Sequence, residues 1–206
     1  MKLFIPAILL MTSLSFASCN SSQKEAETQS ASAAAIENIM TRSSVRQYSE
    51  QAVSEATIDT ILRAGMAAPT AVNKQPWEFI VINEPAAKDS LVSVLKYGKP
   101  IENAPVSIIV CGNMNEALEG DARDYWIQDC SAATENILLA AHAVGLGAVW
   151  CGVYPIMERV EGIRSALNIP SYLVPLNVIA IGYPAGPAEP KDKWKPEKVH
   201  YNAFKD

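Results

Sequence analysis

Arg42 and Arg46 stand four residues apart in "RSSVR", with Ser43 and Ser44 between them. Each arginine presents a rigid fork of N–H donors, and each serine hydroxyl adds another. The set suits a phosphate monoester, although two arginines and two serines beside a helix end also make an ordinary solvated surface. A second polar stretch, "APTAVNKQPW" from Ala68 to Trp77, holds Thr70, Asn73, Lys74 and Gln75 between Pro69 and Pro76. The prolines stiffen it, so these side chains either face a fixed ligand or bond to their own backbone as in a plain loop. In "GLGAVWCGV", Gly145, Gly147 and Gly152 surround a short apolar run. Glycine at a strand end lets a flat ligand reach main-chain N–H groups. The spacing is not G-x-G-x-x-G and the run does not open a helix, which excludes the dinucleotide fingerprint. Near the C-terminus, "KDKWKPEK" offers Lys191, Lys193 and Lys195, either as further charge for a phosphate or as a soluble tail.

Helices and strands must hold these stretches in place. Helical signals cover "AAAIENIMT", Ser54 to Ala67, Pro85 to Leu95, "RDYWIQDCSAATENILLAAHAVG" and Pro155 to Leu167. Ser54 is a suitable N-cap, and Pro155 suits a first helical turn. The second half of the long helix is apolar nearly all round, which predicts a central, buried element. Strands are expected at "WEFIVI", "VSIIVCG", "GAVWCGV" and "LNVIAIGY", each short, apolar and edged by Gly or Pro. Alternation of the two types predicts an α/β or α+β arrangement around one sheet.

The chain has 206 residues, 49% of them hydrophobic and 19% charged, enough apolar material for a packed core. Its formal charge of −5 supplies no basic excess for nucleic acid. Residues 1–18 carry Lys2, an apolar run from Leu3 to Met11 and then small residues, the pattern of a signal peptide. The ending "SFASC" resembles a bacterial lipobox, which makes Cys19 a lipid attachment point; plain secretion is the alternative. Residues 19–35, small and polar, read as a flexible tether, and 36–206 as the folded body. Exported and lipid-anchored, the body would stand on the periplasmic side or the outer membrane. Cys111, Cys130 and Cys151 lie in apolar stretches and read as small buried hydrophobes. His142 and His200 lack ligand spacing, so no metal is expected.

"RSSVRQY", "AAPTAVNKQPWEF", "GLGAVWCGV" and "AIGYPA…KWKPEKVHYN" occur in this order. Together they resemble the nitroreductase family of flavin mononucleotide (FMN) enzymes from about Ile36 to Phe204. Ser43 stands where the family often has a second arginine, Thr70 where serine is common, and the tail has lysine for arginine. The resemblance implies a three-layer α+β fold, a central, mostly antiparallel sheet flanked by helices, in an intertwined homodimer. It implies that Arg42, Ser44 and Arg46 hold the FMN phosphate and ribityl chain, with Ser43 contributing backbone. Pro69, Thr70 and Asn73 would edge the ring from the neighbouring subunit. Trp150, Cys151 and Gly152 would lie along it, with Lys193 and Lys195 candidates for the phosphate.

The implied reaction moves electrons from an NAD(P)H-type donor through FMN to a nitroaromatic or quinone-like acceptor, in a ping-pong cycle without a catalytic side chain. Two alternatives keep the fold: a flavin- or ligand-binding lipoprotein without turnover, and another FMN reaction such as desaturation or dehalogenation. The export signal conflicts with the donor, since free nicotinamide nucleotide is a cytoplasmic resource.

Overall fold

Four strands form one antiparallel sheet in the computed structural model, which describes residues 18–95 and 98–204. They are β1 (Trp77–Ile82), β2 (Val106–Asn113), β3 (Gly147–Gly152) and β4 (Leu173–Gly182), in the spatial order β1-β2-β4-β3. All four coincide with the expected apolar runs; β4 begins earlier, at Leu173. Every residue of β2 is buried, because both faces of this central strand are covered. The period of two divides its side chains: Ile108 and Val110 enter one core, Ile109 and Cys111 the other.

The first core lies between the sheet and two helices, α2 (Glu55–Met66) and α5 (Tyr125–Ala143). Ser54 caps α2, its hydroxyl accepting from Thr57 N at 3.2 Å. Gly65 lets α2 and α5 close up, since a Cβ there would sit 2.8 Å from Ile137 Cγ1. On the other face pack α3 (Pro85–Val94), α4 (Lys99–Asn103) and α6 (Met157–Ala166), through Leu91, Ile101, Val160 and Ile163. The result is the three-layer α+β arrangement, with five-residue α4 an addition that no sequence period announces.

Several expectations are corrected. Pro155 precedes α6 instead of opening it, and follows Tyr154 through a cis bond. α5 is central, as expected, with Ile137, Leu138 and Ala141 of its second half in the first core, but it is not buried all round: Leu139, Ala140 and His142 are half-buried and Ala143 is exposed. The sheet and α2 cover one side of that helix, which is the physical reason.

The chain separates into Met1–Glu37 and Asn38–Asp206, and a helix, α1 (Ser18–Thr41), begins in the first of these and ends in the second. It runs over residues 19–35, expected as a flexible tether. That stretch is rich in Ala, carries Gln, Glu and Lys, and has no Gly or Pro, a composition that permits helix. Residues 1–17 of the expected signal peptide lie outside the described residues. Among the described residues no helix is long and apolar enough to cross a membrane.

Candidate functional site

The arginine–serine stretch lies against the edge strand β3. Ser44 forms an isolated parallel bridge with Ala148, and Val45 N donates to the Ala148 carbonyl at 3.0 Å. Gly147 makes this approach possible, because a Cβ there would fall 2.6 Å from Val45 Cβ. The Tyr48 hydroxyl donates to the Val45 carbonyl at 2.6 Å and lies 3.0 Å from the Ala180 carbonyl. Ser49 N donates to Tyr183 O at 2.9 Å, and Ala185 N to Gln47 O at 3.1 Å. Residues 44–49 are thus clamped between β3 and the segment that leaves β4.

Arg46 lines two cavities. One, of about 850 Å³, gathers Arg42, Ser43 and Ser44 with Lys191 and Lys193 of the tail. Among the described lining residues four cations stand against two carboxylates, Glu189 and Asp192. Even with Glu135 paired to Arg42 the balance is positive, which favours an anion. Lys195, expected beside Lys193, does not line it. Arg42 Nε is held 3.3 Å from Glu135 Oε1, which fixes its guanidinium from the α5 side.

The other cavity, of about 710 Å³, runs along Val149, Trp150, Cys151 and Gly152. Both volumes fall within the range of about 300–1,000 Å³ typical of small-molecule and cofactor sites. Gly152 faces open space, with nothing within 4 Å of the position a Cβ would take. That bare backbone is a surface on which a flat ring fits, whereas Gly147 serves the chain's own packing. The donor set beside it, guanidinium, hydroxyl and ammonium, matches a phosphate ester. The residues present therefore fit a phosphorylated planar cofactor.

Burial pushes the Cys151 thiol up, and the nearby Arg46 guanidinium only partly offsets this. The thiol stays protonated at neutral pH and is a poor nucleophile, in keeping with a backbone role. Tyr48 is raised as well, first by burial and then by Cys151. Among the described residues no three His, Cys, Asp or Glu side chains form a metal-binding group.

Pro69, Thr70 and Asn73 line neither cavity. Their loop feeds β1, at the opposite edge of the sheet from β3. Three strand spacings amount to roughly 14 Å. The loop is nevertheless built to hold a shape. Val72, Asn73 and Gln75 have φ of 46°, 58° and 53°, left-handed values that are unfavourable for any of them and most for β-branched Val72. Gln75 N donates to Thr70 Oγ1 at 3.1 Å and Gln75 Nε2 to Asn73 Oδ1 at 2.9 Å. Ala71 N donates to Asp129 Oδ1 at 2.8 Å.

Asp129 is buried, at 6% exposure, on the inward face of α5. Sequence reasoning passed over it, yet a signal existed: it lies three residues after Trp126 and beside Cys130, a carboxylate on the apolar face of an amphipathic helix. Such a group is buried only when it has a partner. Tyr48 was likewise missed, and no spacing rule marks it.

The sequence pattern of the nitroreductase family matches residues 39–97 and 86–183. A protein of Methanothermobacter thermautotrophicus, named as a candidate NADH dehydrogenase/NAD(P)H nitroreductase, is 46% identical over 166 residues, covering 80% of this chain and 85% of its own. A Bacteroides thetaiotaomicron structure with the same description is 44% identical at a TM-score of 0.78, covering 83% of this chain and 98% of that one. A Desulfovibrio desulfuricans structure, described as a candidate nitroreductase in complex with FMN, is 32% identical at a TM-score of 0.70, covering 83% and 98%.

Proposed function

The chain belongs to the nitroreductase family, and on that premise we propose that it is an FMN-dependent NAD(P)H oxidoreductase acting on nitroaromatic or quinone-like acceptors. The observation that carries this reading is the bridge between Ser44 and Ala148, which sets the phosphate-binding stretch beside the open backbone of Gly152. FMN held there would supply two-electron redox chemistry between donor and acceptor.

The chain's own groups bind and orient. Arg42, Arg46, Ser43, Ser44 and Lys193 hold the phosphate, with Lys191 beside them. Trp150, Cys151 and Gly152 line the ring with main chain, whose N–H groups favour negative charge on it. Leu95, Pro100 and Val149 give the cavity an apolar stretch of wall against which a flat ring packs. Pro69, Thr70 and Asn73 reach a ring in a second copy of the chain, since their own β3 lies across the sheet. The exposed Trp194, Tyr201 and Phe204 of the tail support the same homodimer. No side chain takes or gives a proton in this scheme.

Anaerobic mixing of the purified yellow protein with NADPH tests it. Bleaching followed by recovery on adding a nitroaromatic is expected. A flavin that no nicotinamide donor bleaches refutes NAD(P)H dependence and favours another donor, desaturation or dehalogenation. A colourless protein favours a binder without turnover.

The pattern of Lys2, the apolar run and "SFASC" supports export and a lipid on Cys19. Mass spectrometry of the membrane fraction reads this directly, an acylated Cys19 being the expected product. An anchored enzyme outside the cytoplasm draws on a donor other than free NAD(P)H, whereas recovery of unprocessed chain in the cytosol removes both export and that conflict.

A further inference from the structure

The cavity along β3 carries more positive charge than one phosphate site explains. Arg46, Lys99 and Arg159 line it, and no carboxylate is among the described lining residues. This is in a chain whose formal charge is −5. The rest of the wall is Leu95, Pro100, Val149 and Trp150, with Asn103 and Gln47 adding amide dipoles. Two of the cations are fixed in place. Arg159 Nη1 donates to the Gly152 carbonyl at 3.0 Å, so its charge sits against the strand that faces the ring. Arg46 Nη1 donates to the Ser44 carbonyl at 3.3 Å. Lys99 is exposed at the start of α4, and of the two cavities it and Arg159 line this one and not the other. The phosphate-binding residues Arg42, Ser43, Ser44, Lys191 and Lys193 line the other cavity. Lys99 and Arg159 are thus in excess of that set.

A largely apolar slot lined by cations recognises a flat ring that bears an anion. We propose that Lys99 and Arg159 are specificity-determining residues that select an acceptor carrying a carboxylate or sulfonate beside its electron-poor ring. The inference rests on the flavin reading for its position, the acceptor lying over the ring that Gly152 borders. It goes further in naming the charge of the acceptor and the two side chains that read it. The attraction weakens as ionic strength rises, since Lys99 is open to solvent.

Two measurements on the full-length holoprotein test this. Calorimetric titration compares 4-nitrobenzoate with 4-nitrobenzyl alcohol, rings of the same shape with and without charge. Steady-state KM for both acceptors and for NADPH follows. Wild type is expected to bind the benzoate more tightly, and Lys99→Gln or Arg159→Gln to weaken it by about ten-fold, the size of one charge-assisted hydrogen bond. Binding of the alcohol stays within about two-fold, and Lys99→Arg restores the preference.

Equal weakening of both rings, or no wild-type preference, overturns the proposal. A rise in KM for NADPH alone assigns the cations to the donor's phosphates and overturns it too. Loss of flavin from the variants assigns them to the cofactor phosphate and is equally fatal to it. Calorimetry needs no turnover. A protein that prefers the benzoate yet is never bleached by NADPH would keep the anion site and lose the reductase reading, so the two failures are separable.

Discussion

Replacing Asp129 by alanine tests whether the shape of the Ala68–Trp77 loop is held from α5. Its carboxylate, 6% exposed, accepts the Ala71 N–H at 2.8 Å. A hydrogen bond to a charged group contributes about 1.5–3 kcal/mol. The next two residues, Val72 and Asn73, and then Gln75 are left-handed, and each such residue costs about 1–3 kcal/mol. The anchor is therefore of the same size as the strain of one residue, and without it the loop relaxes toward ordinary conformations. If the whole of that contribution orders Asn73 for the ring, flavin affinity falls by about 10- to 150-fold. Asp129→Asn keeps an acceptor oxygen but loses the charge, so a smaller loss of about five-fold is expected. Fluorescence titration of FMN into the full-length apoprotein, well below its unfolding midpoint, reads both variants, with thermal unfolding as a control. Should Asp129→Ala lower the midpoint yet leave flavin affinity within about two-fold of wild type, the carboxylate supports the core only and the positioning argument fails.

Exchanging Arg42 and Arg46 together for alanine should strip flavin from the protein on desalting, since charge-assisted contacts are the strong ones; undiminished flavin absorbance would mean the phosphate lies elsewhere. Gly147→Ala and Gly152→Ala should separate fold from site. The first forces Val45 away, at about 1–3 kcal/mol of stability, because a Cβ would meet it at 2.6 Å. The second meets nothing within 4 Å, so thermal stability should hold while flavin affinity drops; equal effects on both quantities in both variants would contradict the assignment. Burial, with Glu78 adding to it, pushes the Cys111 thiol up to about 12. An unfolded thiol ionises at about 8.5, so the unfolded chain sheds its proton first and stability declines from about pH 9 toward pH 12. Urea midpoints measured across that range should fall less steeply in Cys111→Ala, and an identical slope would rule out this thiol as a contributor.

The sequence by itself determined the strands, the capped helix after Ser54, and the identity of the basic and hydroxyl groups available to an anion. These are local properties: the period of apolar residues, the hydroxyl of Ser54, the chemistry of Arg42 and Arg46. The arrangement of the loop around Asn73 was legible only as stiffness. Its left-handed residues and its tie to Asp129 depend on a helix more than fifty positions away, and no local pattern encodes such a contact.

Tertiary structure alone decided which glycine does what. Gly147 and Gly152 look alike in "GLGAVWCGV", yet one accommodates Val45 and the other faces a cavity. It also chose Lys193 over Lys195, since facing a cavity depends on how the tail is laid down and not on its composition. Strand order set the separation of Asn73 from Arg46 within one chain, because β2 and β4 lie between their two edges. Residue types fix which interactions are available, whereas only the closed chain fixes which of them meet.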